Sequence, residues 1–257
     1  MRFTIQAACS CHTGRKRSNN EDNVYFEGRC LERNHNGLKN PVYFEDTLKN
    51  GLCLAVFDGM GGEHYGEYAS YAAARQMQQL HQALEGFFIS EKQYLERMVS
   101  QLNDAVIQVQ QEMSTERIGT TMVSLYFSGR YVYCCNVGDS RAYRLRGGEF
   151  LQLSQDHAIS APNDQDASCL SQYLGISCDT AALAPHIAKG QLQQGDLYLL
   201  CSDGFRHVVS REELRKYLYA EPARDEKDLQ KKLLQVVRLI KERGETDNIS
   251  AIAIQMK

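Results

Sequence analysis

Two rhythms of apolar residues alternate along the chain. The first is short and dense, rich in β-branched and aromatic side chains and bounded by glycine or polar breaks, which is how strands read. Asn23 to Glu27 is a short, partly alternating example, and Leu52 to Phe57 is a continuous apolar run. Thr120 to Phe127, Tyr131 to Val137, Arg141 to Leu145 and Glu149 to Leu153 follow one another. The Gly147-Gly148 step between the last two predicts a hairpin turn. Asp196 to Cys201 and Ile249 to Met256 complete the set. The second rhythm has helical spacing. Glu67 to Gly86 is rich in Ala, Gln and Leu. Leu95, Met98, Val99, Leu102, Val106, Val109 and Met113 form one apolar stripe, and Leu229, Leu233, Val236, Val237 and Ile240 form another, with Gly244 as its stop. Sequential strands with a helical pair between them predict an α+β protein. Its sheets pack face to face with helices outside, and parallel βαβ alternation is not the pattern.

Composition narrows this picture without redirecting it. The 257 residues are 43% hydrophobic and 24% charged, enough apolar material for a substantial core. With four prolines, no repeat and no Pro/Ser-rich linker, residues 1–257 read as a single domain. A formal net charge of -3 gives no global field for nucleic acid or an anionic membrane. No basic stripe with interleaved aromatics appears, which argues against a nuclease. No apolar run approaches the roughly 20 residues that span a bilayer. Met1-Arg2-Phe3-Thr4-Ile5 carries no secretory pattern. Nine cysteines without a CxxC pair do not make a zinc ribbon. Cys53, Cys134, Cys135 and Cys201 sit in apolar runs, where a thiol acts as a small hydrophobe. The expectation is a cytoplasmic monomer with reduced cysteines.

The chemistry lies in a recurring arrangement. Three times an apolar strand runs into an aspartate beside a glycine: Leu54-Ala55-Val56-Phe57-Asp58-Gly59, Cys135-Asn136-Val137-Gly138-Asp139 and Leu199-Leu200-Cys201-Ser202-Asp203-Gly204. A fourth aspartate, Asp247, precedes the last strand. Any one Asp-Gly pair reads as a turn. Four aspartates at strand boundaries read differently. A strand end fixes its carboxylate, and carboxylates gathered at one end of packed strands repel unless cations neutralise them. Oxygen-only ligands favour Mg²⁺ or Mn²⁺ over zinc. Such ions in a pair activate a water and clamp a phosphate. Near the start, Arg17-Ser18-Asn19-Asn20-Glu21-Asp22 adds a planar fork suited to phosphate oxygens and two further carboxylates. Alone, that segment reads as a polar loop.

Together with Asp58-Gly59-Met60-Gly61-Gly62, Gly119-Thr120-Thr121, Val137-Gly138-Asp139-Ser140-Arg141, Leu153-Ser154-Gln155-Asp156-His157, Leu200-Cys201-Ser202-Asp203-Gly204 and Asp247-Asn248-Ile249-Ser250, these segments span nearly the whole chain. In this order the set resembles the metal-dependent protein phosphatases of the PPM (PP2C-like) family. The resemblance implies a four-layer αββα sandwich, two antiparallel sheets flanked by helix pairs, with metals at one end. It implies that Asp58 bridges two metal ions, Mn²⁺ or Mg²⁺. Gly59 (through its carbonyl), Glu21 and Asp22 serve the second ion, and Asp203 and Asp247 hold the first. Asp139 joins Asp203 at a third, weaker ion, and Arg17 binds the substrate phosphate. It also implies hydrolysis of phosphoserine and phosphothreonine by a metal-bridging water without a phosphoenzyme, phosphoprotein substrates and a partner Ser/Thr kinase.

The sequence departs from the family in places. Met60 stands where animal-type members carry a histidine proposed as general acid. His64 and His157 lie near the motifs and read as structural. Residues 158–173 are a shortened version of a flap that is longer in bacterial-like members, and Ala161-Pro162-Asn163-Asp164-Gln165-Asp166 reads as a polar, mobile loop. Between Gly28 and Gly51 lies an insertion with Asn34-His35-Asn36-Gly37, read as a surface hairpin or loop. Two alternatives accompany the main reading: a pseudophosphatase kept as a binding module, and a two-metal hydrolase of a small phosphoester. The retained acidic set argues against the first, and a substrate panel separates the second.

Overall fold

A computed structural model describes residues 3–48, 51–61, 65–82, 90–115, 118–161, 164–177, 179–220 and 225–257. His64, Gly62, Asn163 and the predicted end of the first helix at Gly86 lie outside them. The described strands form two large antiparallel sheets. In one, β1 (Ile5–His12) is flanked by β4 (Val42–Asp46) and β15 (Ile249–Met256). Beyond β15 come β14 (Leu197–Cys201), β9 (Arg141–Arg146) and β10 (Glu149–Gln152). In the other, β5 (Leu52–Met60) lies between β2 (Asp22–Phe26) and β7 (Met122–Ser128), and β6 (Gly119–Thr120) also pairs with β5. On the β2 side is β3 (Arg29–Cys30); beyond β7 come β8 (Tyr131–Val137) and β13 (His186–Gln191). Antiparallel pairing throughout agrees with the predicted face-to-face sandwich.

Alternation along these strands sorts side chains into layers. Ile5, Ala7 and Cys9 of β1 face Leu54 and Val56 of β5 and Val123 and Leu125 of β7 in the space between the sheets. Fully burying a residue such as Leu54 contributes about 1.5–3 kcal/mol. The outer face of the second sheet, with Cys53, Ala55 and Phe57, is covered by α1 (Gly66–Gln82) and α2 (Glu91–Glu112). The predicted stripe Leu95, Met98, Val99, Leu102 and Val106 is the buried face of α2, which Ser90 and Gln93 open as a reciprocal capping box. The outer face of the first sheet is covered by α3 (Asp203–Arg206), α4 (Arg211–Leu218) and α5 (Glu226–Glu242), whose Leu229, Leu233, Val236 and Ile240 are buried. Helices, sheet, sheet and helices make the four expected layers, with the short α3 added to the pair α4 and α5 on one side.

Two loop expectations need correction. Residues 158–173 contain a two-stranded hairpin, β11 (Ala158–Ala161) and β12 (Asp164–Leu170), where a polar loop was predicted. The insertion after Gly28 contributes β3 and β4, each an edge strand of a different sheet, so it pairs with the sandwich at both ends. Gly147 and Gly148 do turn β9 into β10, both at positive φ. Among the described residues the cysteines are free thiols.

Candidate active site

Antiparallel pairing decides which carboxylates meet. Neighbouring strands run in opposite directions, so the start of one lies beside the end of the next. Asp22 at the start of β2 is therefore the register partner of Asp58 near the end of β5. Cys201 at the end of β14 pairs with Ala251 near the start of β15, which sets Asp203 and Asp247 at one edge. His12 at the end of β1 pairs with Ile249, so the loop carrying Arg17 emerges there as well. Asp139 follows β8 in the turn to β9.

The loops that carry these groups are tightly tied. Asn248, 3% exposed, accepts the Glu21 amide at 2.7 Å and donates to the Thr13 and Asn19 carbonyls at 2.8 and 3.1 Å. The Gly59 amide donates to the Glu21 carbonyl at 3.1 Å. A Cβ on Gly59 would lie 2.3 Å from the Gly66 carbonyl oxygen and 2.4 Å from that of Glu21, so only glycine lets the chains approach this closely. Gly204 is constrained the same way, 2.2 Å from the Asn248 oxygen. Thr121 and Ser140 hydroxyls share a bond of 2.7 Å beneath Asp58, whose amide donates to Thr121 Oγ1 and whose carbonyl accepts from Thr120 Oγ1. The Gly66 amide, at the first turn of α1, donates to Glu21 Oε1 at 3.3 Å.

The charges are unequally matched. Burial first, and then Asp203, Asp22, Asp139 and Asp247, push the Asp58 carboxyl well above the ordinary carboxylate range. Asp22 is pushed up by burial and by Asp203 and Asp247, although Ser202 Oγ donates to it at 3.0 Å. Glu21 is raised by burial, with Arg17 opposing. Other members are paired. Arg17 Nε and Nη2 hold Asp247 Oδ1 and Oδ2 at 3.0 and 3.2 Å, with Nη1 3.8 Å from Glu21. Arg206 Nη2 is 3.2 Å from Asp139 Oδ2. His207 stands between Asp203, at 3.5 Å, and Glu245, at 3.7 Å.

All the predicted site residues thus lie at one end of the sandwich: Asp22, Asp139, Asp203 and Asp247 within electrostatic reach of Asp58, Glu21 and Gly59 tied together beside them, and Arg17 at the mouth. Among the described residues, however, no group of three His, Cys, Asp or Glu side chains closes around a single point. The pairings explain this, since both Asp247 oxygens face Arg17 and Asp139 faces Arg206. The donor set fits a hard divalent cation: every candidate is an oxygen, and among the described residues no arginine, lysine or histidine forms an ion pair with Asp58 or Asp22, Arg17 acting on Asp58 only from further off. His157 Nδ1 accepts the Gly138 amide at 3.1 Å, a bond that fixes the turn before Asp139.

Sequence reasoning assigned no role to Asn248, Ser202, His207 or Arg206. Asn248 and Ser202 stand inside the quoted motifs, and a polar residue beside a buried strand end is a signal for such a tie. Arg206 and His207 lie one turn past Asp203, and nothing local marks them.

Comparison with known proteins places these features in context. A family model described as Protein phosphatase 2C matches residues 34–238. The serine/threonine protein phosphatase PstP of Mycobacterium tuberculosis is 28% identical over 226 residues. The match covers 84% of this chain and 39% of that protein, so the chain spans well under half of PstP. The serine/threonine phosphatase stp of Listeria innocua is 28% identical over 213 residues, covering 75% of this chain and 81% of that one. A crystal structure of the PstP catalytic domain in complex with two manganese ions superposes with a TM-score of 0.70 at 24% identity, covering 99% of each chain.

Proposed function

The chain belongs to the protein phosphatase 2C family, and from that premise we propose that it hydrolyses phosphoserine and phosphothreonine esters of proteins with two divalent cations, Mn²⁺ or Mg²⁺. The observation that carries this reading is the convergence of Asp22, Asp58, Asp203 and Asp247 at one end of the sandwich, with Asp58 opposed by the other three and, among the described residues, in no ion pair. Asp58 stands between two groups of ligands: Glu21, Asp22 and the Gly59 carbonyl for one ion, Asp203 and Asp247 for the other. When bound, the ions supply Lewis-acid activation of a water and neutralise charge on the phosphoryl oxygens.

The chain's own residues do the rest. Arg17 is tethered in the mouth by Asp247 through Nε and Nη2, and Nη1, 3.8 Å from Glu21 and in no hydrogen bond to it, is the nitrogen proposed to donate to phosphate oxygens. Asn248 holds the Arg17–Asp22 segment against β15, so that guanidinium and carboxylates keep a fixed relation. A cysteine nucleophile does not suit this site. Cys11, the thiol beside Asn20, is pushed up to about 12 by burial and by Asp22, which leaves it protonated near neutral pH. The nucleophile proposed here is water, with no phosphoenzyme.

We place residues 1–257 in one catalytic unit, monomeric and cytoplasmic, acting on phosphoproteins that a Ser/Thr kinase modifies. No helix among the described residues is long and apolar enough to cross a membrane. The experiment is phosphate release from a panel of phosphoserine and phosphothreonine peptides with Mn²⁺, and again after chelation. Metal-dependent turnover is expected. Turnover that survives chelation, or strong hydrolysis of small esters with none of the peptides, overturns the proposal.

A further inference from the structure

The arginines at the acidic end divide into two kinds. Arg17 is 43% exposed and its bond to Asp247 stands in the open mouth. Arg206 is 17% exposed and its partner Asp139 16%. Arg206 Nη2 reaches both Asp139 Oδ2, at 3.2 Å, and the Asp139 carbonyl, at 3.4 Å. Its Nε is buried without a hydrogen-bond partner. A guanidinium does not deprotonate in proteins, and a buried one requires a fixed counter-charge. Here that counter-charge is Asp139.

The charge balance of this flank differs from that around Asp58. Asp203 and, after it, Asp156 are the acids that act most strongly on Asp139, which also repels Asp58. Asp156 is already held by Arg141 through Nε at 3.0 Å to both its oxygens and Nη2 at 2.5 Å. Asp139 and Asp156 are therefore matched by Arg206 and Arg141, acid for base. Among the described residues Asp58 and Asp22 have no arginine within ion-pair distance, and Arg17 acts on Asp58 only from further off. A divalent ion at Asp139 would sit beside a guanidinium that cannot lose its charge, and the two would divide one carboxylate.

We infer that Arg206 is a built-in cation for Asp139, so that Asp139 takes no divalent ion and the centre uses only ions held by the other carboxylates. This rests on the phosphatase reading and gives Arg206 a positioning role: it anchors α3, and with it Asp203, to the β8–β9 turn. It also revises the sequence expectation that Asp139 serves a third ion.

Mn²⁺ uptake by the whole chain tests this without any assay of turnover. Calorimetry and the loss of the free Mn²⁺ resonance signal count bound ions in wild type, Asp139→Asn, Arg206→Met and Arg206→Met/Asp139→Asn, with circular dichroism as the check on folding. Wild type and Asp139→Asn are expected to bind the same number. Arg206→Met is expected to bind one more, which the double variant loses. A wild type that binds an ion Asp139→Asn lacks overturns the inference, as does a folded Arg206→Met with no added ion. Should Arg206→Met not fold, wild type against Asp139→Asn still decides. Absence of Mn²⁺ uptake in every variant is a different failure, and overturns the phosphatase reading with it.

Discussion

Strand β14 has an acid at each end, buried Asp196 before it and half-buried Asp203 after it, and the two ends are built to opposite rules. At its start, Asp196 is fully buried and fully answered. Arg146 Nε and Nη2 grip its two oxygens at 2.6 Å each, the Tyr198 hydroxyl donates at 2.9 Å and the Gln193 amide at 3.0 Å. At its far end, Ser202 and Asp203 open onto Asp22 and Asp58, both raised by Asp203 and neither in an ion pair with an arginine among the described residues. The first arrangement is what a structural carboxylate needs, since a buried charge costs several kcal/mol unless it is paired and hydrogen-bonded. The second is a standing electrostatic cost. A fold that tolerates it does so for a group that will take up positive charge. Unmatched acid, more than acid as such, separates the working end from the holding end.

The largest effect that sharpens the contrast is expected from Asp58→Asn. Phosphopeptide turnover should fall about a thousandfold, the scale seen when a central charge-stabilising group is removed. The metal-free protein should melt no lower than wild type, because one of the mutually repelling carboxylates is gone. Activity near wild type, or a metal-free form that is clearly destabilised, would break the comparison at its functional end.

Asp196→Ala probes the other end. It leaves Arg146 without its counter-charge, a loss of about 3–5 kcal/mol for a broken buried pair. For a domain of this size that is roughly 10 °C or more in melting temperature. Turnover per folded molecule at low temperature should stay within about twofold. Thermal melts alongside initial rates check both halves. A loss of activity without a loss of stability would assign Asp196 to the wrong end.

Asn248→Ala crosses the division, because it is a fully satisfied group inside the acidic end. Its side chain serves the Glu21 amide and the Thr13 and Asn19 carbonyls. Its loss should cost about 2 kcal/mol of stability. The KM for phosphopeptides should rise more than kcat falls, since the loosened segment carries Arg17. Steady-state kinetics on two or more peptides would show whether the tie positions the phosphate fork or only holds the loop.

How much of this was legible in the chain depended on how local the signal was. Tyr131–Val137 and Ile249–Met256 were predicted with the bounds they have, because the first is dense in tyrosine and valine and the second in isoleucine. Strand β1 was missed. It lies between two neighbours and is buried on both faces, so it shows no alternation, and its Ala, Cys and Ser residues carry little strand preference. Helix α4 was missed because only Leu214 and Leu218 of its eight residues are buried; the Ser210/Glu213 capping box was the available sign. The acidic centre was legible because strand, aspartate and glycine are adjacent in sequence each time. The pairings of Asp139 with Arg206 and Asp196 with Arg146 were not, since each depends on which turn packs against which strand.

The smallest effect calibrates the comparison, because it concerns a carboxylate that is fully answered yet exposed. Glu213 Oε2 accepts the Ser210 amide at 3.0 Å and Arg243 Nη1 at 2.8 Å, while Oε1 accepts Arg243 Nη2, so it ties the start of α4 to the end of α5. Arg243 first, and then the Ser210 amide, lower this carboxyl from 4.5 to about 2. The folded value lies below the unfolded one. The contribution is therefore fully present above pH 4.5 and is lost as pH falls toward about 2. Glu213→Gln should lower the melting temperature slightly at neutral pH, less than Asn248→Ala does, because solvent screens an exposed pair. The gap between variant and wild type should narrow as the pH drops below 4.5, and high salt at neutral pH should narrow it too. If Glu213→Gln costs as much as Asp196→Ala, then pairing alone sets the value of a carboxylate here. A much smaller cost means that burial multiplies what pairing is worth, and the same multiplication makes the unpaired Asp58 and Asp22 so demanding of cations.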